Sequence, residues 1–301
     1  MLENIEEKVI KMPLPTVIQV SNTSQLALTL NENFQLALTL SWQQVLAKIS
    51  EALIARNTVQ VLQLLFSELD YIQLNHNAVN DICNLVRQPV DQNTLIEIEA
   101  KLNFLKKLIN EYLKHPQTNV PLLNYLSNEF SFVVQQLKNL GVVGVGAFML
   151  TSGLRLALLQ AQAASDHTVW SRIRDRAIED SDYAFNVTPQ LFRLTVGQID
   201  KACQCSRWKS APQQEQSITQ YECRYFDGKD IHIFRAINPD AGFKCNKHRL
   251  LMFQTVVDRV NQTAATPVRT ALKKWRSLAA QIQNNHSTTD QLTRTVLASA
   301  D

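Results

Sequence analysis

Cys203, Cys205, Cys223 and Cys245 fall close together in the chain, while the fifth cysteine, Cys83, stands apart. Four such thiols suit three chemistries. In an oxidising milieu they pair as disulfides. A 203–205 bridge is sterically poor, so Cys203 and Cys205 would each join Cys223 or Cys245, in either of two ways. With His248 beside them they also offer zinc ligands, although the usual C-x2-C spacing is absent. In a reducing compartment they stay free. The six histidines form no HExxH and no close pair. Asp175, Glu179 and Asp180 lie in RIRDRAIEDSD, the mixed-charge pattern of a solvated helix face. No G-x-S-x-G, phosphate-binding loop or dinucleotide fingerprint occurs. The expectation is a non-enzymatic protein with no cofactor and no resident metal.

The chemistry that the sequence does favour is physical: the partition of one long apolar run. GVVGVGAFMLTSGLRLALLQAQA, residues 141–163, has a single charge, Arg155, and four of the seven glycines. Crossing about 30 Å of hydrocarbon takes about 20 apolar residues, so the run is long enough. A constitutive span is disfavoured by Arg155, because an arginine near a bilayer centre costs roughly 2.5–3.5 kcal/mol. A helix buried on every side by neighbouring helices meets no such difficulty; Arg155 would then lie near an end or pair with Asp180 or Asp200. The third reading joins the two: core in the soluble state, membrane afterwards. The candidate residues for that step are Gly141, Gly144, Gly146, Phe148, Gly153, Leu154, Arg155 and Leu158. Gly153, Ala157 and Ala161 carry the small-xxx-small spacing that suits helix association in lipid. Gln160 and Gln162, with Arg155, would face an aqueous lumen.

The elements that must position this run read as helices. Glycine is absent before residue 141, while Leu, Gln, Asn, Ala and Val abound, a composition that favours long helices. Residues 1–40 form an N-terminal extension in which QLALTL occurs twice, at 25–30 and 35–40; it reads equally as a short hairpin or as a first helix. Ser41 caps a helix with Val45, Ile49 and Leu53 on one face, continued by VQVLQLLFSELDYIQL. Asp91 to Thr94, with Glu97 at the capping-box spacing, opens the next helix, which ends at His115-Pro116. Residues 121–139 are amphipathic, a helix at 169–182 follows the apolar run, and Pro189 allows a fresh start. ITQYECRYF and IHIFRAI flank Asp227-Gly228, a strong hairpin signal. Helices at 247–262 and 267–284 precede a polar tail. The expected fold class is mainly α, a multi-helix bundle (41–208) around the apolar helix. A cysteine-bearing β-hairpin (209–246) is inserted before C-terminal helices and a tail (247–301).

Several stretches, in this order, resemble the helical domain of the three-domain Cry delta-endotoxins. WQQVLAKISEALIARNTVQVLQLLFSELDYIQ (42–73) is similar to that domain's second and third helices, with Ala55-Arg56-Asn57 at the join. GLRLALLQAQAASDHTVW (153–170) resembles its fifth, with Leu154 to Leu159 and Trp170 matching the Leu-rich pattern. IDKACQCSRW (199–208) ends like its sixth, with Cys205 and Trp208 three apart, and HRLLMFQTVVDRV (248–260) resembles its seventh. Arg155 stands where the family has His, and Ala161 where it usually has Asp. The resemblance implies a pore-forming toxin or a relative of one, without the family's β-rich receptor-binding domains. Residues 118–163 would enter the target-cell membrane as a helical hairpin, and further copies of the chain would join it there. A receptor or second protein component is a further partner of unknown kind. No signal peptide is evident at the N-terminus, so release without one is expected. A formal charge of +3 with no basic stripe argues against nucleic acid. The rival expectation is a cytoplasmic helical interaction or effector protein whose apolar helix is only core.

Overall fold

Ser41 starts the first helix with a reciprocal cap. Its side chain accepts from the Gln44 amide, and Gln44 Oε1 accepts from the Ser41 amide at 2.9 Å. The computed structural model describes residues 40–116, 119–202, 220–226, 231–237 and 241–298, without side-chain detail for 60, 67, 68, 199–202, 220–245 and 285–298. Among these residues the fold is mainly helical. The QLALTL repeat, apart from its last residue Leu40, lies outside them.

Helix α1 spans Trp42–Ala55 and stops where Arg56 turns left-handed, φ 58°. The Asn57 amide donates back to the Ala52 carbonyl at 3.0 Å, closing the turn. The apolar pattern therefore does not run on unbroken: α2 (Thr58–Gln63) starts afresh and widens into a π turn at Leu64–Glu68. The Asp70 carboxylate then caps α3 (Tyr71–Val86) by accepting from the Ile72 and Gln73 amides. Asp91 alone caps α4 (Gln92–Lys114): its Oδ1 accepts from the Asn93 amide, and Thr94 donates its hydroxyl to Oδ2 from inside the helix. The Thr94–Glu97 box is thus not the cap. His115 closes α4, ahead of Pro116.

Helix α5 (Val120–Asn139) and helix α6 (Val145–Ala163) are joined by one 3-10 turn, Gly141–Gly144. Gly141 has φ +61°, which only glycine adopts without strain. A Cβ on Gly144 would stand 2.4 Å from the Leu137 carbonyl oxygen. So tight a join makes α5 and α6 a helical hairpin.

Helix α7 runs unbroken from Val169 to Ala202 through Pro189, so the expected restart there does not occur. Pro189 lies on the exposed face, as does Phe185 four residues back. The carbonyl that loses its amide partner therefore faces water, where the loss is mild. Strands β1 (Gln220–Phe226) and β2 (Ile231–Ile237) pair antiparallel, Cys223 opposite Phe234. Helix α8 (Ala241–Val260) passes through a π turn at Asn261–Ala265 into α9 (Thr266–Ala298), so helix continues through the segment expected as a polar tail.

Helix α6 packs against α1, α2, α3, α5 and α7, and α9 packs against α1 and α7. The largest fully buried side chains are Trp42, Trp275, Tyr71, Phe130 and Phe148. Trp275 and Ile49 both close on Gly153: a Cβ there would lie 3.3 Å from Trp275 Cζ2 and 2.8 Å from Ile49 Cγ2. A residue far beyond 208 thus completes the same core, and Leu40–Asp301 form one unit.

Candidate membrane-inserting segment

Of the candidate residues, Gly141 and Gly144 form the turn into α6, and the others lie along the helix itself. Every residue from Val145 to Ala163 except Ala161 is buried. Gly146 lets Ala78, Ile82 and Trp42 approach; a Cβ there would meet all three at 3.2–3.3 Å. Phe148 packs edge-on against Tyr183 of α7, ring centroids 4.7 Å apart. Leu154 and Leu158 are fully buried. Among the described residues, Gly141–Ala163 is the one helix long and apolar enough to cross a membrane, and in the bundle all of it but Gly141 and Ala161 is buried.

Arg155 decides the electrostatics. It is 3% exposed, and its Nη2 donates to Oδ2 of Asp180, itself fully buried on α7. Nη1 donates to Ser131 Oγ of α5 at 3.3 Å. Asp200, the other carboxylate considered from sequence, also lies on α7, but its side chain is outside those described. Lys138, near the end of α5, stands 3.3 Å from Asp180 Oδ1, in ion-pair range without hydrogen-bond alignment, and 2.9 Å from Glu179 Oε1. Tyr183 donates its hydroxyl to the Lys138 carbonyl at 2.8 Å.

Both cations of the α5–α6 hairpin therefore meet carboxylates on α7, Arg155 at Asp180 and Lys138 at Asp180 and Glu179. Burial alone would raise the Glu179 pKa, but hydrogen bonds and charge from Lys138 and Arg176 outweigh it and hold the carboxyl below its usual range. Burial pushes the Tyr183 hydroxyl up to about 12.

The other polar groups of α6 also point to protein partners. Thr151 sits in a buried chain: Tyr71 donates to Thr151 Oγ1 at 3.0 Å, and Thr151 donates to Asn75 Oδ1 at 3.1 Å. Burial raises the Tyr71 hydroxyl to about 12 against the opposing effect of its own hydrogen bonding with Thr151 and Asn75. Gln160 donates to the Leu53 carbonyl at 2.8 Å, and Gln162 to Asn124. In the bundle, then, neither glutamine faces water. Ser152 Oγ and Arg155 Nε have no hydrogen-bond partner among the described residues.

The chain matches no family model, no curated protein and no solved structure.

Cys203 and Cys205 lie outside the described residues; Cys223 falls on β1 and Cys245 on α8, where only the backbone is described. Cys83 is a free, half-buried thiol pushed up by burial. Among the described residues no three of His, Cys, Asp and Glu gather where a metal would bind. Sequence reasoning missed Lys138, Ser131 and Tyr183. Lys138 is a lone cation just before a glycine-rich turn, and nothing in its spacing points across to α7.

Proposed function

We propose that this chain is a membrane-inserting protein of the pore-forming kind, a relative of the helical domain of the three-domain Cry delta-endotoxins. In this reading it is a bundle around a central apolar helix, α6, with β1–β2 inserted ahead of the last helices. On a target membrane the α5–α6 hairpin, about residues 118–163, leaves the bundle, enters the bilayer and associates with further copies. One observation carries the reading: a 23-residue apolar stretch, Gly141–Ala163, follows α5 through a single tight turn. At about 1.5 Å per residue it spans roughly 34 Å, against about 30 Å of hydrocarbon. Arg155 lies only about 4–5 Å past its midpoint. In lipid it needs a lumen or a partner; in the bundle Asp180 meets that need.

The rival reading has its own observation. Burial of every α6 residue but Ala161, with Thr151, Arg155, Gln160 and Gln162 bonded to bundle partners, also suits a helix that never leaves. The two differ in one assay. Purified protein added to dye-loaded liposomes of neutral and anionic lipid, before and after proteolytic trimming of residues 1–40, releases dye if α6 inserts. Absence of release under all these conditions would leave α6 as core, and the chain as an interaction or effector protein.

A further inference from the structure

At the C-terminal end of α6 lies a cavity of about 910 Å³, between the α1–α2 corner and helices α4, α5, α6, α7 and α9. That volume is within the range of about 300–1,000 Å³ usual for small-ligand sites. Tyr112, Leu123 and Ile282 give it apolar walls, and Gln160 also lines it. Its charge is one-sided. Arg56 lines it, and no Asp or Glu does among the described residues.

Arg56 is the residue held left-handed at φ 58°. That conformation is disfavoured for a non-glycine residue, and here Arg56 lies at the cavity. The guanidinium lies 4.8 Å from the centroid of the Trp170 ring, which also lines the cavity. Arg56 is exposed and makes no ion pair among the described residues, so its charge is available to an incoming anion.

We propose that this cavity binds a single-chain amphiphile with an anionic head: the carboxylate on Arg56, the apolar chain against Tyr112, Leu123 and Ile282. Arginine is suited to this, because its planar fork takes a carboxylate through two parallel hydrogen bonds while one face stays stacked on an aromatic ring. The bound chain would touch six helices at once and so stabilise the closed bundle. The inference stands apart from membrane insertion and holds for either reading of α6.

The test is a titration of the full chain with dodecanoate, below its micellar concentration, followed by Trp170 emission and by calorimetry. Dodecyltrimethylammonium, of opposite charge, serves as the comparison. One dodecanoate per chain should bind saturably and raise the melting temperature, and the emission change should vanish in Trp170→Phe. Arg56→Gln should weaken binding by about 10-fold to 100-fold, the worth of a charge-assisted hydrogen bond. Ala161→Trp, which fills the cavity from α6, should abolish binding; circular dichroism checks that each variant is folded. Non-saturable uptake, equal binding of the cationic amphiphile, or unchanged binding in folded Arg56→Gln would each overturn the proposal.

Discussion

Replacing Asp180 by alanine removes the one negative charge that Arg155 meets in the core. Arg155 is 3% exposed and Lys138 has a side chain 12% exposed, so little water reaches the cations left behind. Lys138 keeps Glu179 at 2.9 Å and loses less. Arg155 keeps only Ser131, a neutral acceptor at 3.3 Å. Breaking a buried pair from one side costs about 3–5 kcal/mol, whereas replacing both partners by apolar residues of similar volume is often neutral or stabilising. We therefore expect Asp180→Ala to lose about 3–5 kcal/mol, and Arg155→Met with Asp180→Leu to recover most of it. In urea unfolding followed by circular dichroism, with m of about 2–3 kcal/mol/M, the single variant shifts the midpoint down by roughly 1–2 M. If Asp180→Ala stays within roughly 0.5 kcal/mol of wild type, as an ordinary surface change does, the pair is not what neutralises Arg155. A double variant as unstable as the single one would point to packing instead of charge.

Gly144→Ala should destabilise more than Gly141→Ala in thermal melts. The first presses a methyl 2.4 Å from the Leu137 carbonyl oxygen, while the second meets nothing within 4 Å and costs only its left-handed φ, about 1–2 kcal/mol; the reverse order would contradict the turn geometry. Alkali should destabilise the bundle through Tyr71, as through Tyr183, because a folded pKa of about 12 lies above the ordinary 10. The neutral form is favoured in the fold, so this stability is complete below pH 10 and is lost as pH rises from 10 to 12, up to roughly 3 kcal/mol for Tyr71. Tyrosinate absorbance that completes near pH 10 in still-folded protein would refute it.

The helical class and the bounds of the α5–α6 pair were legible because punctuation marks them: His115-Pro116 before α5, and Gly141 and Gly144 between the helices. Apolar periodicity ran straight over the break after Ala55, although the resemblance placed a helix join at Ala55-Arg56-Asn57, where the first helix ends. Arg56-Asn57 includes neither glycine nor proline, so no punctuation residue marks the left-handed cap at Arg56. Pro189 misled in the other direction, since its effect depends on which way the Phe185 carbonyl faces, and helix periodicity alone does not reveal the solvent side of so long a helix. That Arg155 needs a carboxylate was readable from its place in an apolar run. Which carboxylate was not, because Asp180 and Asp200 both lie on α7 and the axial register of α6 against α7 decides between them. Trp275 shows the same limit: its helix was legible, but its seat on Gly153 was not.

Whether α6 leaves the bundle is tested most directly by tying it to α1, which stays behind in the proposed insertion. An ideal Cβ on Gly153 stands 3.8 Å from Ile49 Cβ, matching the mean separation across a disulfide, about 3.8 Å. Ile49→Cys with Gly153→Cys also removes the Ile49 methyl that a side chain at 153 would strike. Oxidised protein, with the cross-link verified by mass spectrometry and the fold by circular dichroism, should leave dye-loaded liposomes intact and release their contents only after reduction. Equal release by the cross-linked and reduced forms would contradict the account, because α6 would then be acting without leaving α1.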